Sequence, residues 1–128
     1  DVIARFWGTP AGIPYAFNSL HKAGTKLLMG SDAPVAPLDP WMAISAAVFG
    51  TESSDREPFQ PEQCLDFETA LASSTAVGRV ALRDADAADL VLLDCDPSII
   101  DSPEAMRAMP EHVLGTMLAG RWTYQQAE

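Results

Sequence analysis

The sequence predicts an α/β fold in which helix and strand alternate over the first two-thirds and short strands dominate the last third. Apolar residues at helical spacing in residues 13–24 lead directly into a glycine-bounded apolar run, residues 25–30, which is typical of a helix followed by a strand buried on both faces. After residues 76–78 the pattern becomes strand-like. The helix-to-strand connection favours a parallel sheet for the first part.

Two further helices have clear start signals. Asp39 followed by Pro40 predicts a helix over residues 41–49 that ends at Gly50, and its apolar residues lie nearly all round, which implies burial on more than one side. Asp66 predicts the cap of a helix over residues 67–74.

The last third contains four strand-like runs and a short helical turn. Ser102 and Pro103 predict the start of that turn, which reaches Ala108. Ala119 and Gly120 predict a two-residue hairpin turn between the last two strands. The predicted strands are residues 79–83, Leu90–Leu93, Val113–Leu118 and residues 121–124.

Composition excludes several classes of function. The chain has 128 residues, which is about the size of one domain. It has 18 acidic and 8 basic residues, a formal charge of -10. The excess of acids and the scattering of the basic residues argue against nucleic-acid binding. The longest nearly uncharged run, residues 33–50, contains an aspartate and several prolines and is too short and broken to span a membrane. Cys64 and Cys95 form no CxxC pair, so we expect small buried thiols in a reducing, cytoplasmic location.

Asp32 is the first candidate for chemistry. It follows the predicted strand and Gly30, and the carboxyl ends of strands carry the sites of parallel α/β folds. A carboxylate there can bind a metal or act as a general base. A Ser-Asp sequence after a strand is also ordinary turn chemistry, and local evidence alone favours that explanation.

Other polar residues favour structural roles. His21, beside Lys22 on the polar side of its helix, and His112, at the entrance to a strand, are both predicted to be exposed surface residues. Neither has a second histidine at metal-binding spacing, so a complete metal site is not predicted in this chain. The acidic residues 84–89 lack the pattern of a calcium loop and predict a solvated turn. Residues 73–75 predict a frayed helix end and lack the glycine frame of a nucleophile elbow.

The combination of several runs resembles a known family. These are GSDAPVAPLDPW at residues 30–41, ETALA at residues 68–72, ADLVLLD at residues 88–94 with Asp96-Pro97, and GRW at residues 120–122. In this order they resemble the C-terminal part of metal-dependent amidohydrolases. The branch most similar is the amidohydrolase 3 group, which includes D-aminoacylase-like and formamide-deformylase-like enzymes.

The resemblance implies a fold and a site. Residues 1–77 would be the end of a TIM-like (β/α)8 barrel, with residues 25–30 its last strand and residues 41–49 its last helix, and residues 78–128 would be the C-terminal part of a composite β-sandwich. Asp32 would match the aspartate after the last barrel strand, which binds the metal and moves a proton to the leaving nitrogen. The family's His-x-His motif, its central lysine or acid and its two further histidines have no counterpart in this sequence.

We therefore expect roughly the last quarter of a longer enzyme, a zinc-type hydrolase of carbon–nitrogen bonds in small non-peptide amides. The chain alone is expected to be inactive and to bind no catalytic metal tightly. The alternative is a non-catalytic, self-associating scaffold domain. In either case strand edges left uncovered predict a homo-oligomer.

Overall fold

The computed structural model describes residues 5–6, 12–75, 83 and 86–127 of the chain. Helices and strands mix along it, and three short 3₁₀ helices, Pro61–Gln63, Pro97–Ile99 and Met109–His112, lie between them in the described part. The helices are α1 Phe17–Lys22, α2 Pro40–Phe49, α3 Phe67–Ser73 and α4 Pro103–Arg107, and the strands are β1 Leu90–Leu93, β2 Val113–Leu118 and β3 Arg121–Gln125.

The three strands form one antiparallel sheet in the order β1-β2-β3. Ala119 and Gly120 join β2 to β3 with φ of 49° and 75°, which confirms the predicted hairpin turn. The carboxylate of Asp89 accepts a hydrogen bond from the Ala119 amide at 2.7 Å, and the Ala88 carbonyl accepts one from the Gly120 amide at 3.0 Å. The segment leading into β1 therefore holds the turn in place.

Helix α2 has the boundaries that its sequence predicts. Asp39 Oδ1 accepts a hydrogen bond from the Trp41 amide at 2.9 Å, and Gly50 ends the helix with a φ of 64°. Ile44 and Ser45, both 1% exposed, and the buried Trp41 and Ala47 confirm that the helix is covered on more than one side. Asp66 caps α3 in the same way, as predicted.

The hydrophobic core joins the helices of the first part to the last third of the chain. Helix α2 contacts both α3 and α4. The Ser45 hydroxyl donates a buried hydrogen bond to the Pro103 carbonyl at 3.2 Å. The buried apolar members of this core are Trp41, Ile44, Ala47, Leu65, Ala70, Met106 and Met109.

Helix α1 is shorter than predicted. It begins at Phe17, because Tyr15 takes a φ of 53° that a continuing helix does not allow, and it buries none of its residues. Gly24, with a φ of 85°, lies just past its C-terminus, where the amides of Gly24 and Thr25 donate to the carbonyls of His21 and Leu20. The predicted left-handed glycine is confirmed, whereas a helix over residues 13–24 is wrong.

The prediction of a strand at residues 25–30 is wrong. This segment pairs with no strand in the described part of the chain, and the Met29 amide instead donates to the Ser73 carbonyl at the end of α3 at 2.9 Å. Leu27 and Met29 pack against the core while Leu28 is 69% exposed. The side chains therefore alternate between partly buried and exposed as in a strand, although the segment forms hydrogen bonds with no strand in the described chain. The described sheet is antiparallel throughout, and the predicted strand at residues 79–83 lies outside the described residues except for Arg83.

Gly115 in β2 supplies a first test of the packing. An added Cβ would lie 2.8 Å from Trp122 Cζ3 and 3.2 Å from the Tyr124 carbonyl oxygen. We expect Gly115→Ala to lower the free energy of unfolding by about 1–3 kcal/mol, measured by urea unfolding. Gly30→Ala is the matched control, because nothing lies within 4 Å of its added Cβ. Equal stability of the two variants would contradict this packing.

Glu104 of α4 supplies a second test. Its carboxylate accepts from the Ser54 amide at 2.7 Å and from the Ser54 hydroxyl at 2.6 Å, and these bonds lower the pKa of Glu104 from 4.5 to about 2. Since the folded pKa is depressed, the stabilisation is present above pH 4.5 and is lost as the pH falls toward 2.

We expect Glu104→Gln to flatten the fall in urea midpoint between these two pH values, because a neutral amide has no such titration. Glu57→Gln, at an exposed acid of the same connecting loop, should keep the steeper wild-type fall. Identical pH profiles for wild type and Glu104→Gln would show that the contact with Ser54 does not form in solution.

Candidate functional site

Asp32 lies in an exposed turn directly after the 25–30 segment. Its backbone takes a φ of 54°, and its carbonyl oxygen accepts a hydrogen bond from the Val35 amide at 2.9 Å, which closes the turn. In the described part of the chain the Asp32 side chain makes no hydrogen bond or ion pair. Its carboxylate is therefore accessible to a ligand or to another segment.

The other carboxylate of this loop, Asp39, is engaged. It caps α2 through the Trp41 amide and is only partly exposed. Asp39 therefore has an ordinary structural role as a helix cap, whereas the Asp32 side chain has no such role in the described chain.

A cavity of about 500 Å³ lies between residues 27–30 and α2. Tyr15, Phe59 and Ala47 give it a mainly apolar lining, and Asp32 is not among the lining residues. The side-chain oxygen Oε1 of Gln60, another lining residue, is buried without a hydrogen-bond partner in the described chain. The cavity brings no acid or histidine to Asp32.

The two histidines have different surroundings. His21, in the last turn of α1, is exposed as predicted. His112 also lies at the surface, with its side chain 44% exposed, and its Nδ1 is 2.8 Å from Asp94 Oδ1, a contact that its sequence position does not predict. The pairing of β1 with β2 brings the two residues together, because Leu93 lies opposite Val113 and Asp94 and His112 are their neighbours in sequence.

Cys95 joins this pair. One potential ligand atom each from Asp94, Cys95 and His112 lies within 4.8 Å of the other two. The Asp94 amide donates to the His112 carbonyl at 3.1 Å, so the two backbones are held together, and Cys95 Sγ lies 3.8 Å from Met109 Sδ. The sequence pattern did not predict this cluster.

Neither cysteine has the surroundings of an activated nucleophile. Partial burial raises the pKa of the Cys95 thiol, and the carboxylates of Asp94 and Asp96 raise it further. Burial also raises the pKa of Cys64, with a smaller effect from Glu62. Both thiols are free and partly buried, less so than predicted, and their raised pKa values favour the unreactive protonated form.

The polar stretches assigned to structure have structural contacts where they are described. Asp86 Oδ2 accepts from the Arg83 amide at 2.7 Å, as in the predicted turn, while residues 84 and 85 lie outside the described chain. Ser73, Ser74 and Thr75 donate their hydroxyls to carbonyls of α3, which confirms a helix end.

A catalytic metal site around Asp32 is not formed by the residues described. In that part of the chain, Asp94, Cys95 and His112 are the one group of three or more potential ligands with atoms close enough to share an ion, and Asp32 does not belong to it. A lone exposed carboxylate does not fit a catalytic metal, which needs about three protein ligands.

The amidohydrolase family model matches residues 4–124, so this chain belongs to the amidohydrolase family, a family of hydrolases that generally bind metals. This confirms the resemblance seen in the sequence. Comparisons with curated proteins and with solved structures gave no match. None of the helices among the described residues has the length and apolar character needed to cross a membrane.

Proposed function

We propose that this chain supplies Asp32 to the active site of a metal-dependent hydrolase that cleaves carbon–nitrogen bonds in small non-peptide amides. The accessible Asp32 carboxylate, in a turn after the 25–30 segment of an amidohydrolase-family chain, is the observation that supports this. The role of Asp32 is to hold a proton during amide cleavage and pass it to the leaving nitrogen.

The wider assignment belongs to the same proposal. Residues 1–77 form the end of the barrel and residues 78–128 the C-terminal part of the composite β-sandwich, to which β1, β2 and β3 contribute. The enzyme is a cytoplasmic member of the D-aminoacylase-like and formamide-deformylase-like branch, and zinc is the metal of the full-length enzyme. Because Asp32 lacks neighbouring ligands in the described chain, the metal's other ligands come from elsewhere in that enzyme.

In the full-length enzyme, Asp32→Asn should lower kcat by about 10²–10⁴-fold, because the amide cannot exchange a proton as the carboxylate does. Asp39→Asn is the matched control from the same loop, since asparagine also caps helices. Steady-state hydrolysis of a panel of N-acyl amino acids and formamides measures both variants. Wild-type kcat for Asp32→Asn, or an equal loss for Asp39→Asn, would contradict the role of Asp32.

The 128-residue chain alone should not turn over these amides above background. Any zinc found by elemental analysis should be unchanged in Asp32→Ala, because Asp32 by itself does not retain a metal. Stoichiometric zinc that disappears in Asp32→Ala would show that a catalytic site is already present in this chain.

A second candidate function is self-association. Large apolar side chains of the sheet remain open to solvent, with Val91 59%, Leu118 59% and Trp122 48% exposed. Such a surface, together with the uncovered edges of β1 and β3 within the described sheet, favours contact with a second copy.

We expect light scattering to give the mass of a dimer or larger species. Val91→Lys and Trp122→Lys should shift that mass toward 13.7 kDa, the mass of one chain, because charge opposes edge pairing and apolar burial. Glu111→Lys, at an exposed residue outside the strands, is the control for an added lysine. A monomeric wild-type chain would rule out this candidate.

A further inference from the structure

We propose that Asp94, Cys95 and His112 form a binding site for a zinc-class divalent cation where β1 ends and β2 begins. This site is separate from Asp32 and has no part in amide cleavage. It requires three side chains that the fold already brings together: one carboxylate, one thiol and one imidazole with potential ligand atoms within 4.8 Å of one another.

The distances are close to those of a tetrahedral zinc site. Zinc bonds of 2.0–2.3 Å at tetrahedral angles place ligand atoms roughly 3.3–3.6 Å apart. The His112 Nδ1 and Asp94 Oδ1 atoms are 2.8 Å apart, and one ligand atom from each of the three residues lies within 4.8 Å of the other two. Side-chain rotations that move the ligand atoms by about 1 Å or less therefore bring them to zinc-binding distances.

The backbone does not need to move. The Asp94 amide donates to the His112 carbonyl at 3.1 Å, and Leu93 pairs with Val113 in the sheet, so both sides of the site are anchored. Met109, which is fully buried, lies against Cys95 and holds the 3₁₀ helix that carries His112. A preformed backbone lowers the ordering cost of binding.

The ligand set selects the class of ion. Sulfur and imidazole nitrogen favour zinc and its transition-metal neighbours, whereas magnesium and calcium prefer all-oxygen sites. Asp94 and His112 have side chains 47% and 44% exposed, which leaves space for water as the fourth ligand. Asp96 follows Cys95 in the sequence and adds negative charge near the proposed cation site.

Binding of the cation requires no oxidation or reduction. The Cys95 S–H bond breaks, its proton passes to solvent, and the thiolate forms a bond to the cation. In the metal-free chain the Asp94 carboxylate accepts a hydrogen bond from His112 Nδ1–H. On binding, this proton is exchanged through solvent to Nε2, so that Nδ1 of the neutral ring and a carboxylate oxygen of Asp94 each donate a lone pair to the cation in place of that hydrogen bond.

Cobalt(II) is the probe, because a bond between cobalt and thiolate gives a ligand-to-metal charge-transfer absorption that other ligands do not. We expect the reduced wild-type chain, titrated with Co²⁺ in a non-thiol reductant, to develop this absorption with a stoichiometry of one. Added Zn²⁺ should abolish it, and an equal concentration of Mg²⁺ should not.

Matched variants assign the ligands. Cys95→Ser should abolish the charge-transfer absorption, and His112→Gln and Asp94→Asn should weaken Co²⁺ affinity by about tenfold or more. Cys64→Ser, at the other partly buried thiol, should keep the wild-type titration. Far-UV circular dichroism identifies variants that remain folded, and only these are compared.

Two results would overturn the proposal. One is the absence of a thiolate absorption in the folded, reduced wild type. The other is an absorption that survives Cys95→Ser or is unaffected by both His112→Gln and Asp94→Asn. Since none of these outcomes depends on Asp32, failure here leaves the proposed hydrolytic role to be judged by its own variants.

Discussion

The packing of α2 against α4 is the contact on which the rest of the described structure depends. Ile44 and Ser45 on one helix and Met106 on the other are essentially removed from water, and the Ser45 hydroxyl satisfies the Pro103 carbonyl within the contact. Truncating a buried side chain of this size costs about 2–5 kcal/mol, a large part of the stability of a small domain.

Both candidate sites are positioned by this contact. The loop with Asp32 leads into the Asp39 cap of α2, so fixing α2 fixes one end of that loop. On the other side, α4 continues into the 3₁₀ helix Met109–His112, whose buried Met109 belongs to the same core. The elements of this core thus lead into both the loop of Asp32 and the segment that carries His112.

Local signals predicted the structure where short-range physics decides it. The caps at Asp39 and Asp66 and the turn at Ala119-Gly120 each depend on one residue and its near neighbours, and all three are confirmed. The prediction of a strand at residues 25–30 was wrong because a strand needs neighbouring strands to pair with, and an apolar run does not reveal whether they are present. The contact between His112 and Asp94 was not predicted for a related reason, since the two residues are 18 positions apart in sequence and strand pairing brings them together.

The central structural claim is that residues within 12–75 and 86–127 pack around one core. Trp41, 8% exposed, reports on α2, and Trp122, 48% exposed, reports on β3. Trp7, the third tryptophan of the chain, is replaced in two variants, one of which keeps only Trp41 and the other only Trp122. Within each variant the urea midpoint by fluorescence should equal the midpoint by far-UV circular dichroism, because loss of the α2–α4 contact unfolds both parts together. Fluorescence and circular dichroism midpoints that differ within either variant would contradict a single core.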